Sequence, residues 1–299
     1  MKLIVPQTTE QEFESAPWKT GRFSMVLKEV QNSKIVPEKD IIFADEVDKE
    51  ELLLVHTKEY LDKVFNYTMS QDEQRRLEVP LEALYIRQDS CFCNASILAA
   101  FHALDDGVAV NLGGGKHHAF PTWGEGFCIF NDIAVTIRSL ELMEQVITNA
   151  LVVDCDAHQG NGTAHIFKND SNVVTFSIHM REGYPYHRPA SDLDINLSND
   201  TGDEIYLEQL KEGLDSILEQ YSDFDLAIYI AGADPYEKDP LTSLNISIEG
   251  LRLRDEFVLS SLRKNNIPVV VLFAGGYADA SDIVKINCNT IKTALKYAR

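Results

Sequence analysis

Short, nearly uninterrupted apolar runs punctuate the chain from about residue 107 onward, and between them apolar positions recur at helical spacing. The runs Val108–Asn111, Ala150–Val153, Val173–Ile178, Leu226–Ala231 and Val269–Ala274 read as strands covered on both faces. Asn131–Gln145, Asp203–Gln220, Ile248–Arg263 and Asp282–Tyr297 read as helices. This alternation predicts an α/β fold with a mainly parallel central sheet flanked by helices. The N-terminal third is more helical, with 3.6-residue periodicity over Lys49–Asn66 and Asn94–Leu104, and is expected to pack around the sheet. No Gly/Ser/Pro-rich linker divides the chain, so residues 1–299 are read as a single domain.

In open parallel sheets, functional residues gather beyond the carboxyl ends of the strands. After Ala150–Val153 comes Asp154-Cys155-Asp156-Ala157-His158-Gln159-Gly160-Asn161-Gly162-Thr163. On an extended segment, Asp154, Asp156 and His158 share one face. Three such groups behind a buried strand are costly to desolvate unless they bind something. A polar loop with one Asp as a helix cap would explain only part of the string. Leu226–Ala231 leads to Gly232-Ala233-Asp234-Pro235, which alone reads as an ordinary Asp-Pro turn. Beside the first segment, Asp234 supplies a third metal ligand. Two carboxylates and one imidazole suit a catalytic zinc, which keeps a position open for water. An iron oxygenase would more often show two His and one carboxylate.

Asn111-Leu112-Gly113-Gly114-Gly115-Lys116-His117-His118 resembles a phosphate loop only superficially, because His follows Lys where Ser or Thr is required. Beside a metal motif, the adjacent histidines become candidates for proton transfer. Val269–Ala274 is followed by Gly275-Gly276-Tyr277, and a tyrosine there is either a core aromatic or a phenol aimed at developing negative charge.

Composition narrows the function classes. Lys+Arg 27 against Asp+Glu 47 gives a net charge of −20, which opposes a grip on nucleic-acid phosphates and favours cationic partners. No apolar run approaches the length of a membrane-spanning helix, and Met1–Pro6 is too short for a signal h-region. Five cysteines without a CxxC pattern are expected to be reduced thiols, which places the protein in the cytoplasm.

Taken together and in order, these segments resemble the histone deacetylase family of the arginase–deacetylase superfamily, most nearly its short class IV type and bacterial relatives. The resemblance covers most of the chain. It includes Val55-His56-Thr57-Lys58-Glu59-Tyr60-Leu61, Gly126-Phe127-Cys128-Ile129-Phe130-Asn131-Asp132, Phe176-Ser177-Ile178-His179, Gly232-Ala233-Asp234 with Asp239-Pro240-Leu241, and Gly275-Gly276-Tyr277. It implies zinc held by Asp156, His158 and Asp234. His117 and His118 would be the tandem histidines, with His118 as base and Asp154 orienting His117. Tyr277 would polarise the acyl carbonyl. It further implies a structural potassium ion among Asp154, Asp156, His158, Ser177 and Ile178, largely through backbone carbonyls. Gly126, Phe127, Gly275 and Gly276 would line the substrate passage, Phe127 as one wall. Tyr184 and Tyr186 are the alternatives for the second aromatic.

The chain departs from the family at two points. Asn161 stands where some members place an acid behind the second histidine, which should leave His118 less basic. Asn94-Ala95-Ser96 replaces a common Gly-Gly-Thr, which bears on helix packing. The activity implied is hydrolysis of acyl-lysine in proteins. An acetylpolyamine or other small-molecule amidohydrolase would use the same catalytic residues. A silent acyl-lysine-binding scaffold would not need all three ligands, both histidines and Tyr277. An arginase-like dimanganese site would need more acidic ligands.

Overall fold

In the computed structural model, which describes residues 1–7, 21–143 and 146–299, eight strands form one sheet in the order β2-β1-β3-β8-β7-β4-β5-β6. They are β1 Leu3–Pro6, β2 Ile41–Ala44, β3 Val108–Asn111, β4 Ala150–Asp154, β5 Val173–Met180, β6 Leu193–Leu197, β7 Leu226–Ile230 and β8 Val269–Leu272. Every pairing between these strands is parallel, which bears out the expected α/β fold with a mainly parallel sheet. All five expected strands form. β1, β2 and β6 join them at or next to the sheet edges.

Both faces are covered, as an all-parallel sheet requires. Alternation along β4 divides the core: Leu151 and Val153 face one cluster, Ala150 and Val152 the other. Helices α1 Arg22–Asn32, α8 Asp203–Gln220, α9 Ile248–Lys264 and α10 Ala280–Tyr297 bury their apolar stripes in the first cluster. Helices α3 Lys58–Phe65, α5 Ala83–Asp106 and α6 Asp132–Leu142 bury theirs in the second. The expected helix over Asn131–Gln145 corresponds to α6; residues 144 and 145 lie outside the described residues.

Two N-terminal expectations change. The periodic stretch Lys49–Asn66 is not one helix but α2 Lys49–Leu52 and α3, which is followed by α4 Gln71–Leu77. Between α2 and α3 the chain turns so that buried His56 reaches Phe120 O at 3.1 Å and accepts the Asn131 N–H at 3.0 Å on Nε2. Thr57 then starts α3, its hydroxyl accepting from the Tyr60 N–H. The other stretch, Asn94–Leu104, extends into the longer α5. There Ala95 and Ser96 are fully buried, and the Ser96 hydroxyl donates to Asp132 at 2.6 Å.

Register sets the site. Asn111, Leu272, Ile230, Asp154 and Ser177 form one row across β3, β8, β7, β4 and β5. The chemistry-bearing segments leave the sheet beyond that row, together and on one end.

Candidate metal centre and active site

The segment after β4 and the turn after β7 converge. His158 Nδ1 stands 3.1 Å from Asp156 Oδ1 and 2.9 Å from Asp234 Oδ2. One ligand atom from each of these buried residues lies within 4.8 Å of the others. Backbone N–H groups fix the carboxylates: Ala157 donates to Asp234 at 3.0 Å and Gly275 to Asp156 at 2.8 Å. Gly275 has no room for a side chain, since a Cβ there would lie 2.3 Å from Asp234 Oδ2. Burial and the neighbouring Asp156 push the Asp234 carboxyl up to about 7. Anionic oxygens crowded around one imidazole nitrogen, away from water, fit a divalent cation of zinc type. Cys155 lies in the hydrophobic core on the other side, as the alternation predicts.

His117 and His118 sit beside this cluster with ring centroids 4.0 Å apart. His117 Nδ1 pairs with Asp154 Oδ2 at 2.7 Å, and His118 Nδ1 with Asn161 Oδ1 at 2.7 Å. Burial works against a charge on His117, but Asp154 and Asp156 outweigh it and raise its pKa to about 9. Burial, followed by the neighbouring His117 and His158, holds His118 well below the ordinary histidine range. The loop carrying the pair is pinned by Asp132, whose carboxylate accepts from the N–H groups of Gly115 at 3.1 Å and Lys116 at 2.7 Å.

Tyr277 follows β8, its N–H donating to Asp239 at 2.5 Å. Burial, with Asp234 and Asp156 nearby, keeps its phenol well above the ordinary value and therefore protonated. Arg22 braces the turn by donating to Ala274 O at 2.7 Å and to Gly276 O. An outer groove and an inner chamber meet across His118, Gly126, Phe127, His158 and Tyr277. Phe127 faces Tyr277 with ring centroids 6.0 Å apart. Gly126 and Phe127 both adopt positive φ, +53° and +68°. For Phe127 that conformation is strained by about 1–3 kcal/mol. Its N–H donates to Leu77 O at 2.9 Å, and its carbonyl accepts from Lys116 Nζ at 2.7 Å.

Of the alternative aromatics, Tyr184 stands edge-on to His118 at 5.0 Å. Tyr186 is 92% exposed at the outer groove. Ser177 and Ile178 lie on β5 beside Asp154, with Asp154 opposite Ser177 in register. Several positioning groups escaped the sequence reading. Asp132 and Asp239 lie inside quoted motifs, but their partners are distant in the chain. Arg22 carries no local signal at all.

The model of the histone deacetylase domain matches residues 16–293. An uncharacterized protein of Picosynechococcus is 38% identical over 231 residues, covering 77% of this chain and 76% of its own length. Histone deacetylase 2 of Arabidopsis thaliana is 32% identical over 277 residues, covering 89% of this chain and 70% of its own. The crystal structure of an HDAC homologue from Aquifex aeolicus shares the fold, with a TM-score of 0.80 at 22% identity, covering 97% of this chain and 82% of that one.

Proposed function

The chain belongs to the histone deacetylase family, and from that premise we propose that it hydrolyses the amide of acylated lysine side chains in proteins with one resident zinc ion. The observation that carries the reading is the buried Asp156, His158 and Asp234 cluster beside the tandem histidines, with His158 lining both groove and chamber and Asp156 lining the chamber. These three residues would hold the ion. When bound, it supplies Lewis acidity that activates water and polarises the acyl carbonyl.

The other steps belong to the protein. His118, kept neutral by its surroundings, accepts the proton of the attacking water at Nε2, because Nδ1 is engaged by Asn161. His117, charged beside Asp154, contributes positive potential and orientation. Tyr277 donates to the oxygen that gains charge in the tetrahedral intermediate. The protonated histidine then returns a proton to the leaving amine. Phe127 and Tyr184 flank the acylated side chain, Gly126 and Gly275 leave it room, Gly276 continues the turn next to Gly275, and Tyr186 meets the substrate at the rim. A potassium ion enclosed by Asp154, Asp156, His158, Ser177 and Ile178 would stiffen the strand ends behind the ligands.

The net charge of −20 supports cationic substrates and disfavours nucleic acid. Among the described residues no helix is long and apolar enough to cross a membrane. Five buried free cysteines support a reducing, cytoplasmic setting. The proposed catalytic domain takes in residues 1–299.

The test is a panel of acetyl- to long-chain acyl-lysine peptides alongside acetylpolyamines, assayed with zinc-loaded enzyme and a chelator control. Peptide turnover abolished by chelation supports the reading. Turnover of acetylpolyamines alone would move the assignment to a small-molecule amidohydrolase, and none at all to a binding scaffold.

A further inference from the structure

We infer that Glu125 is a positioning residue of this reaction, acting through Asn161 to fix the proton-accepting form of His118. The inference rests on the assignment of His118 as the base. Position 161 carries an amide rather than an acid. An acid directly behind the histidine would need no orienting, because its two oxygens are equivalent. An amide does need it: one face accepts and the other donates.

Asn161 opens α7 Asn161–Phe167 and is fully buried. Its Oδ1 faces His118 Nδ1 at 2.7 Å and the Gly162 N–H at 3.1 Å. Its Nδ2 donates to Glu125 Oε1 at 3.0 Å and to His187 O at 3.0 Å. All four hydrogen-bonding positions of the amide are therefore filled, two as acceptor and two as donor. A flipped amide would turn its NH₂ onto the Gly162 N–H and its oxygen onto the Glu125 carboxyl and the His187 carbonyl. Every one of those contacts would be lost or repulsive. Because Oδ1 can only accept, His118 must carry its proton on Nδ1, and Nε2 is left with a free lone pair.

Of the two acceptors on Nδ2, His187 O offers an ordinary backbone dipole. Glu125 is the side chain able to bring charge to the amide, and such a charge strengthens Oδ1 as an acceptor through the polarised chain. Glu125 is itself clamped. Trp123 Nε1 donates to its Oε2 at 3.2 Å, and the Tyr184 hydroxyl reaches its Oε1 at 3.3 Å. Tyr184 is also the ring that stands edge-on to His118. Glu125 thus sits where the base's hydrogen-bond partner and the tunnel wall meet, immediately before the strained Gly126-Phe127 turn.

Glu125→Gln keeps an acceptor for Asn161 but removes the charge; Glu125→Ala removes both. In zinc-loaded protein carrying ¹⁵N-histidine, the wild type and Glu125→Gln should show His118 with Nδ1 protonated and Nε2 bare. Glu125→Ala should show a mixed tautomer. Turnover should fall several-fold in Glu125→Gln and roughly 10–100-fold in Glu125→Ala, with KM within about two-fold, since the base and not ground-state binding is affected. In an Asn161→Ala background, Glu125→Ala should cost nothing further, because the two act as one unit. An unchanged tautomer and rate in Glu125→Ala, or an undiminished cost in the Asn161→Ala background, would overturn the inference. Should Glu125→Ala not fold, the rate and KM of Glu125→Gln decide: wild-type turnover overturns it. The tautomer reading needs no turnover, so it separates this inference from the assignment of the activity.

Discussion

His117 and His118 lie with ring centroids 4.0 Å apart and reach chemically different partners at the same distance, 2.7 Å: the carboxylate of Asp154 and the amide of Asn161. Asp154, with Asp156, outweighs burial and favours a charged His117 ring, whereas burial, with His117 and His158 nearby, holds His118 well below the ordinary histidine range against the weaker pull of Asn161. Adjacent residues of one type are thereby driven to opposite protonation states, and a division of labour follows.

His118→Ala should lower turnover by orders of magnitude while zinc stays bound, whereas His117→Ala should cost less. Steady-state rates with metal analysis on the same samples check this. A reversed order of the two variants would mean that the roles within the pair are wrongly divided.

Tyr277→Phe should leave KM within a few-fold and cut kcat by roughly 10²–10³, because one oxyanion donor is lost only in the transition state. A tyrosine of purely structural value would instead lose thermal stability and keep its rate once folded. Melting temperature and turnover measured on one preparation distinguish the two.

Gly275→Ala tests the packing around the ligands. The added methyl would lie 2.3 Å from Asp234 Oδ2 and 2.7 Å from Asp156 Oδ2, closer than contact allows. Zinc affinity should fall while the sheet, which ends before this turn, remains folded. Full zinc retention by a chelator competition assay would show that the carboxylates are not held as described.

The fully buried His56 predicts a pH effect on stability. Burial lowers its pKa from 6.5 to about 4. The unfolded chain therefore binds a proton on this residue, below pH 6.5, that the folded chain refuses. Stability is fully present above 6.5 and is lost as pH falls toward 4, by about 2 kcal/mol between pH 7 and 5 from this group alone. Denaturant midpoints at the two pH values should show a smaller acid loss in His56→Gln than in the wild type. An equal loss would mean that other groups govern the acid limb.

Much of this was legible in the chain itself. The five continuous apolar runs are the strands of the sheet's middle, where burial on both faces writes an unmistakable pattern. β6, with Asp194 and Asn196 inside it, lies at the edge and carries too mixed a pattern to stand out. β1 and β2 are four residues each, short enough for local signals to be ambiguous. The Lys49–Asn66 periodicity was misleading because buried bonds from His56 to Phe120 and Asn131 outweigh local helix preference. Asp156 and His158 were readable because their spacing on an extended segment already implies one face, and Asp234 because it lies in the turn that follows a buried strand. Glu125, Asp132 and Arg22 were not, since each acts on a partner that only the fold brings near.

The central claim, that Asp156, His158 and Asp234 together hold the metal on which hydrolysis depends, is tested most directly by the zinc content of purified Asp156→Ala and Asp234→Ala, measured beside their turnover of an acetyl-lysine peptide. Loss of a carboxylate from a three-ligand set should empty the site and abolish activity together. Full zinc occupancy in both variants, or turnover that survives its loss, would contradict the account.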